Sequence, residues 1–195
     1  MHRIVELYQP DGRALVRLSQ WQGLLDDYAG IETAQQLDAV NRFFNERLRF
    51  DSDLAIYREE DYWASPVQAL ILGAADCEDF TIAKYVTLRR LGVAETQLRL
   101  TYVKAVELGQ AHMVLTYYAT PTSAPLVLDN LIDPILTASQ RDDLVPVYSF
   151  NASGLWVGNA RPGSQAAATT PLPRWQELTR KMRDEGFPEL GHRER

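Results

Sequence analysis

Residues 76–92 read DCEDFTIAKYVTLRRLG, and the reading of this run decides the fold. Its charges are ordered: Asp76, Glu78 and Asp79 begin it, Arg89 and Arg90 end it, as a helix dipole favours. Phe80, Ile82, Ala83, Tyr85, Val86, Leu88 and Leu91 take up most of its circumference. The pattern therefore predicts a central helix from about Asp76 to Leu91, buried on several sides. Gly92 is its stop.

On the N-terminal side the period stays helical. Trp21, Leu24, Leu25 and Tyr28 fall at i, i+3, i+4 and i+7, and Leu37, Val40, Phe44 and Leu48 keep the same face. Ser65-Pro66 pairs an N-cap with a first-turn proline and opens a short helix through Leu72. Between these lies a polar, acid-rich stretch from Phe50 to Asp61. On the C-terminal side the period becomes two. Leu98, Leu100 and Tyr102 alternate with Arg99 and Thr101, and further strands are expected at 112–118, 126–129, 145–150 and 154–157. Short connections favour hairpins.

The expected architecture is an α+β domain with N-terminal helices and the central helix packed on an antiparallel sheet. Residues 1–160 form this domain. Residues 161–195 hold a linker, rich in Gly, Ala, Ser, Thr and Pro from about Gly158 to Pro173, and an amphipathic helix with Trp175, Leu178 and Met182 on one face. Glu189 to Arg195 reads as a frayed tail.

Composition narrows the function. A formal charge of −6 over 195 residues lacks the basic stripe of a nucleic-acid binder. No apolar run of about 18 residues is present, so no membrane insertion is expected. The single cysteine, Cys77, excludes an intramolecular disulfide. The first residues, MHRIVELYQPDGR, carry no export signal, so the chain either stays inside or has lost that signal.

Cys77 begins the central helix, where backbone N–H groups and the dipole favour a thiolate. Of three histidines, His2 and His192 lie near the ends, leaving His112 on a strand as the candidate imidazole. Asp129 interrupts the apolar run Leu126-Val127-Leu128 and is placed to hold that ring. Each residue also has a plainer reading, as a small buried thiol, a core histidine and a turn former; the combination points to nucleophilic catalysis.

The acidic flanks of Cys77 oppose thiolate formation. Two readings fit them. A divalent cation could neutralise the carboxylates, with calcium suited to hard oxygen donors, and Asp51-x-Asp53 has the alternate spacing of a calcium loop, with Asp61 a further candidate. Alternatively Asp76 caps the helix while Glu78 and Asp79 complement its dipole. These patterns do not choose between the two.

Asp61-Tyr62-Trp63-Ala64-Ser65-Pro66, Asp76-Cys77-Glu78-Asp79-Phe80 with Ala83-Lys84-Tyr85 and Leu88, Ala111-His112-Met113-Val114-Leu115 and Leu126-Val127-Leu128-Asp129-Asn130 together resemble the bacterial transglutaminase-like cysteine proteinases. The resemblance covers most of residues 30–160 in order and is closest to the periplasmic adhesin-processing members. It implies a papain/transglutaminase-like core with Cys77 as nucleophile, His112 as general base and Asp129 as the orienting carboxylate. It implies Ca²⁺ held by Asp76 and Glu78 with Asp51 and Asp53, completed by a carbonyl near Ala55 or Tyr57. It further implies a periplasmic endopeptidase, its export signal removed. Such an enzyme clips the N-terminal region of a large cell-surface adhesin at paired small residues and so promotes biofilm dispersal. The periplasmic domain of an inner-membrane cyclic-di-GMP receptor would be its inhibitor. The same triad type also serves transglutaminase-like acyl transfer, and a binding module with an inert Cys77 is the third possibility.

Overall fold

A computed structural model describes residues 2–157 and 173–187. The predicted central helix is present as α6 (Cys77–Arg90), and Asp79 to Leu88 are all buried. Its end is a Schellman motif. Val93 N–H donates to Leu88 O and Gly92 N–H to Arg89 O, with Gly92 at a φ of 96° that suits glycine.

Ahead of it come α1 (His2–Tyr8), α2 (Gly12–Asp27), α3 (Thr33–Arg47), β1 (Arg49–Phe50), α4 (Asp53–Tyr57), α5 (Pro66–Leu72) and β2 (Ala74–Ala75). Ser65 caps α5 through a reciprocal box with Gln68, as the Ser-Pro pair predicts. β1 and β2 pair in parallel, Arg49 with Ala74 and Phe50 with Ala75, which brings the acid-rich stretch alongside the start of α6.

After α6 follow β3 (Leu98–Ala105), β4 (Gln110–Tyr117), β5 (Leu126–Leu128), β6 (Leu136–Thr137), β7 (Leu144–Asn151) and β8 (Gly154–Val157). They form one antiparallel sheet in the order β6-β5-β4-β3-β7-β8. Leu98, Leu100, Met113, Leu115 and Leu128 project from it into the core shared with α6 and α3, while Val103, Val114 and Val127 form a smaller cluster. The fold is α+β, helices and antiparallel sheet as expected.

α7 (Pro173–Asp184) is amphipathic as read, and its apolar face lies in the same core. Trp175 packs edge-on against Tyr85 and Phe150, with ring centroids 5.5 and 5.9 Å apart. The linker (158–172) and the tail (189–195) lie outside the described residues. Among the described residues no helix is long and apolar enough to cross a membrane.

Trp175 is 2% exposed, so Trp175→Ala is expected to cost about 3–5 kcal/mol in urea unfolding. A loss below about 1 kcal/mol would show that α7 is not part of the core.

Candidate active site

The site is built around the first turn of α6. Asp76 is the N-cap, its Oδ1 accepting from Asp79 N–H at 3.0 Å, so Cys77 takes the first helical position. The thiol donates to Glu78 Oε2 at 2.7 Å. Burial pushes its pKa up, and the charges of Glu78 and Asp76 push it the same way, while the backbone N–H of Met113 opposes them. That contact brings the thiol against β4, at the residue that follows His112.

His112 is buried on β4, and its Nε2 lies 2.8 Å from Asp129 Oδ1. This engages one ring nitrogen and leaves Nδ1 as the other functional atom. Among the described residues no hydrogen bond joins the sulfur to the imidazole. Asp129, just past β5, also accepts from Leu131 N–H at 3.1 Å and from Arg141 Nη2 at 2.8 Å. Burial would raise the Asp129 pKa, but the hydrogen bond and charge of His112, with Leu131 and Arg141, hold it down to about 2. Asn45 on α3 ties down the loop, donating to Asp129 O at 2.9 Å and Asp133 Oδ1 at 3.0 Å.

The acidic residues divide into two groups. One carboxylate oxygen each from Asp53, Asp76 and Asp79 lies within 4.8 Å of the others. Two ligands across one Ca²⁺ are at most roughly 4.6–5.2 Å apart, so the spacing suits one such ion. Asp53 is buried and its Oδ1 has no hydrogen-bond partner, an arrangement that costs free energy unless a cation or water meets it. Burial, with the charges of Glu78 and Asp79, pushes Asp76 up to about 10; burial, with those of Asp53 and Glu78, pushes Asp79 up to about 8. The cluster therefore fits a hard cation.

The others are engaged elsewhere. Asp51 pairs with Arg49 at 2.5 Å and caps Ser52 N–H, which keeps its carboxyl low. Asp61 pairs with Arg174 at 2.8 Å. Glu78, though close, holds the thiol hydrogen.

Sequence reasoning counted Asp79 among the carboxylates near Cys77 or gave it a dipole role, and did not name it as a cation ligand. The signal for more was its place three residues after the N-cap, which brings both carboxylates to one helix end. It missed Arg141 altogether, since nothing local marks a residue whose partner lies across a loop.

The wall of the cluster is held from α7. Tyr62 N–H donates to Asp53 Oδ2 and Ala64 N–H to Asp79 Oδ1, both at 2.6 Å. The same segment is gripped by Lys181, which donates to Trp63 O at 2.9 Å, and by buried Glu185, which accepts from Ser65 and Tyr8.

The sequence profile of the bacterial transglutaminase-like cysteine proteinases (BTLCP) matches residues 27–158. The fold is similar to that of LapG from Legionella pneumophila. Calcium-bound LapG is 43% identical with a TM-score of 0.82, over 93% of this chain and 98% of that one. EGTA-treated LapG gives the same identity and TM-score, over 93% and 96%. No curated protein matches significantly by sequence.

Asp76 and Asp79 bind their protons more tightly in the folded than in the unfolded chain. Cation-free protein therefore has their full stabilisation only below about pH 4 and loses it as pH rises through about 8 and 10. The melting temperature in chelator is expected to fall from pH 5 to pH 8, and millimolar Ca²⁺ to restore it at pH 8. Asp79→Asn should flatten the fall and remove the calcium effect; an unchanged calcium shift in that variant would take Asp79 out of the site.

Proposed function

The chain belongs to the bacterial transglutaminase-like cysteine proteinases, and from that premise we propose that it is a calcium-dependent endopeptidase using Cys77, His112 and Asp129. The observations that carry this reading are a carboxylate-held imidazole on β4, one residue before the Met113 backbone that the thiol meets, and a cation-sized carboxylate cluster at the start of the helix that bears the thiol. Asp129, kept ionised, can only accept, so it fixes the ring proton on Nε2 and leaves Nδ1 to take the thiol proton. The sulfur of Cys77 then attacks the peptide carbonyl, and His112 returns the proton to the leaving amine. A water molecule, deprotonated by the same ring, releases the new carboxylate from the acyl-enzyme. The N–H of Cys77, at the open end of α6, is one oxyanion donor.

Asp53, Asp76 and Asp79 would hold the calcium, with Glu78 beside them. Calcium bound there supplies the fixed positive charge that offsets the carboxylates around the thiol. Asp51 contributes by anchoring Arg49 and the loop before α4.

The substrate in this reading is the N-terminal region of a large cell-surface adhesin, cut at paired small residues such as Ala-Ala in the periplasm, which frees the adhesin and disperses a biofilm. The periplasmic domain of an inner-membrane cyclic-di-GMP receptor restrains the enzyme. Support comes from the 43% identity to LapG across nearly the whole chain.

Cys77→Ala is expected to abolish cleavage of an adhesin N-terminal fragment with little change in melting temperature, and chelator to stop cleavage by the unmodified chain. Retained cleavage in Cys77→Ala would refute the nucleophile. An amide product formed with added primary amine, in place of free carboxylate, would instead establish acyl transfer.

A further inference from the structure

Arg141 follows a short 3₁₀ turn (Ala138–Gln140) and is 4% exposed. A buried guanidinium persists only when its charge is met, and of the Arg141 nitrogens Nη1 alone has no hydrogen-bond partner. Here Nη2 donates to Asp129 Oδ2 at 2.8 Å and to Asp143 Oδ2 at 2.8 Å, while Nε donates to Asp143 Oδ1 at 2.9 Å. Asp143 is partly exposed, so a chain of four ionisable groups runs from solvent through Arg141 and Asp129 to His112.

We propose that Arg141 is the positioning residue of the imidazole: by occupying Oδ2 of Asp129 it leaves only Oδ1 for His112 and keeps that carboxylate an acceptor. The inference rests on the proteinase reading above. Its physical basis is geometric. The Asp129 side chain is fully buried, and without Arg141 its Oδ2 would be unpaired. The carboxylate could then rotate, or take a proton and offer a hydrogen to the ring in place of a lone pair. Either change releases the Nε2–H tautomer on which the mechanism depends.

Other groups facing Asp129 do not substitute. Lys84 on α6 is fully buried, its Nζ has no hydrogen-bond partner, and burial brings its pKa down to about 7, so its charge fades in the neutral range. Asp133 in the loop carries the wrong sign, and Asn45, which also donates to Asp133, meets Asp129 only at its backbone oxygen. A guanidinium stays charged at every working pH and offers fixed, planar donors.

The test is ¹⁵N NMR of the histidine rings in calcium-loaded protein, which needs no substrate. Unmodified protein should show His112 as a single Nε2–H tautomer at neutral pH. Arg141→Met and Arg141→Gln, two neutral variants of which either suffices, should show mixed tautomers; Arg141→Lys, which keeps a charged donor, should restore the single one. On an adhesin fragment carrying Ala-Ala, the neutral variants should lose at least about tenfold in kcat/KM. Their activity should also fail at a pH at least about one unit higher on acidification. A folded neutral variant that keeps the single Nε2–H tautomer overturns the proposal and leaves the proteinase reading intact. Cleavage retained in Cys77→Ala overturns that reading, while the tautomer result stands by itself.

Discussion

Three carboxylates converging within 4.8 Å at the start of one helix cannot all ionise without a counter-charge. That constraint governs the rest of the site. Burial first, and then the crowded charges, push Asp76 and Asp79 far above the usual carboxylate range; Asp53 Oδ1 has no hydrogen-bond partner, and the charges of Glu78 and Asp76 add to the burial that raises the neighbouring thiol. The helix dipole favours anions at this end by only about 0.3–1 kcal/mol, too little to offset three crowded charges. In the function proposed above, a bound cation would resolve the crowding and free the thiol in one step, which would account for the nucleophile and the acidic cluster sharing a turn.

The fold assembles this turn from distant parts of the chain. The β1–β2 pair brings the acidic loop to Asp76, and the segment from Asp61 to Ser65 lends backbone donors to Asp53 and Asp79. α7 and the turn after it grip that segment from behind, through Lys181 and Glu185. On the other side, α3 and the loop after β5 fix Asp129, and Arg141 completes its coordination. α6 is buried between these two halves, so a displacement of the helix moves the thiol relative to both.

Much of this was legible in the sequence, because local patterns specify it. The ordered charges of α6, its Gly92 stop, the Ser65-Pro66 cap and the alternation at Leu98, Leu100 and Tyr102 each encode structure within a few residues. α4 was not read, since five residues carry too little periodicity for a helix to show, and it is capped by Ser52 within a run that resembles a loop. α1, of seven residues, and β6, of two, are short as well. In the site, Asp129 stood out as a charge breaking an apolar run. Asp51 carried the same calcium-loop spacing as Asp53, yet the structure gives it Arg49 as a partner, a contact that spacing cannot express. Asp79 carried a local signal in its spacing from the N-cap but not its partner Asp53, and Arg141 depends on a tertiary neighbour, so nothing local distinguished it from a surface charge.

The central claim is that cation binding at the acidic cluster turns a partly buried, protonated thiol into a nucleophile. It is tested most directly by the rate at which iodoacetamide alkylates Cys77 at pH 7, in calcium and in EGTA. The account predicts rapid alkylation with calcium and a large slowing in EGTA, with the protein folded in both. Equal slow rates in the two conditions would contradict it.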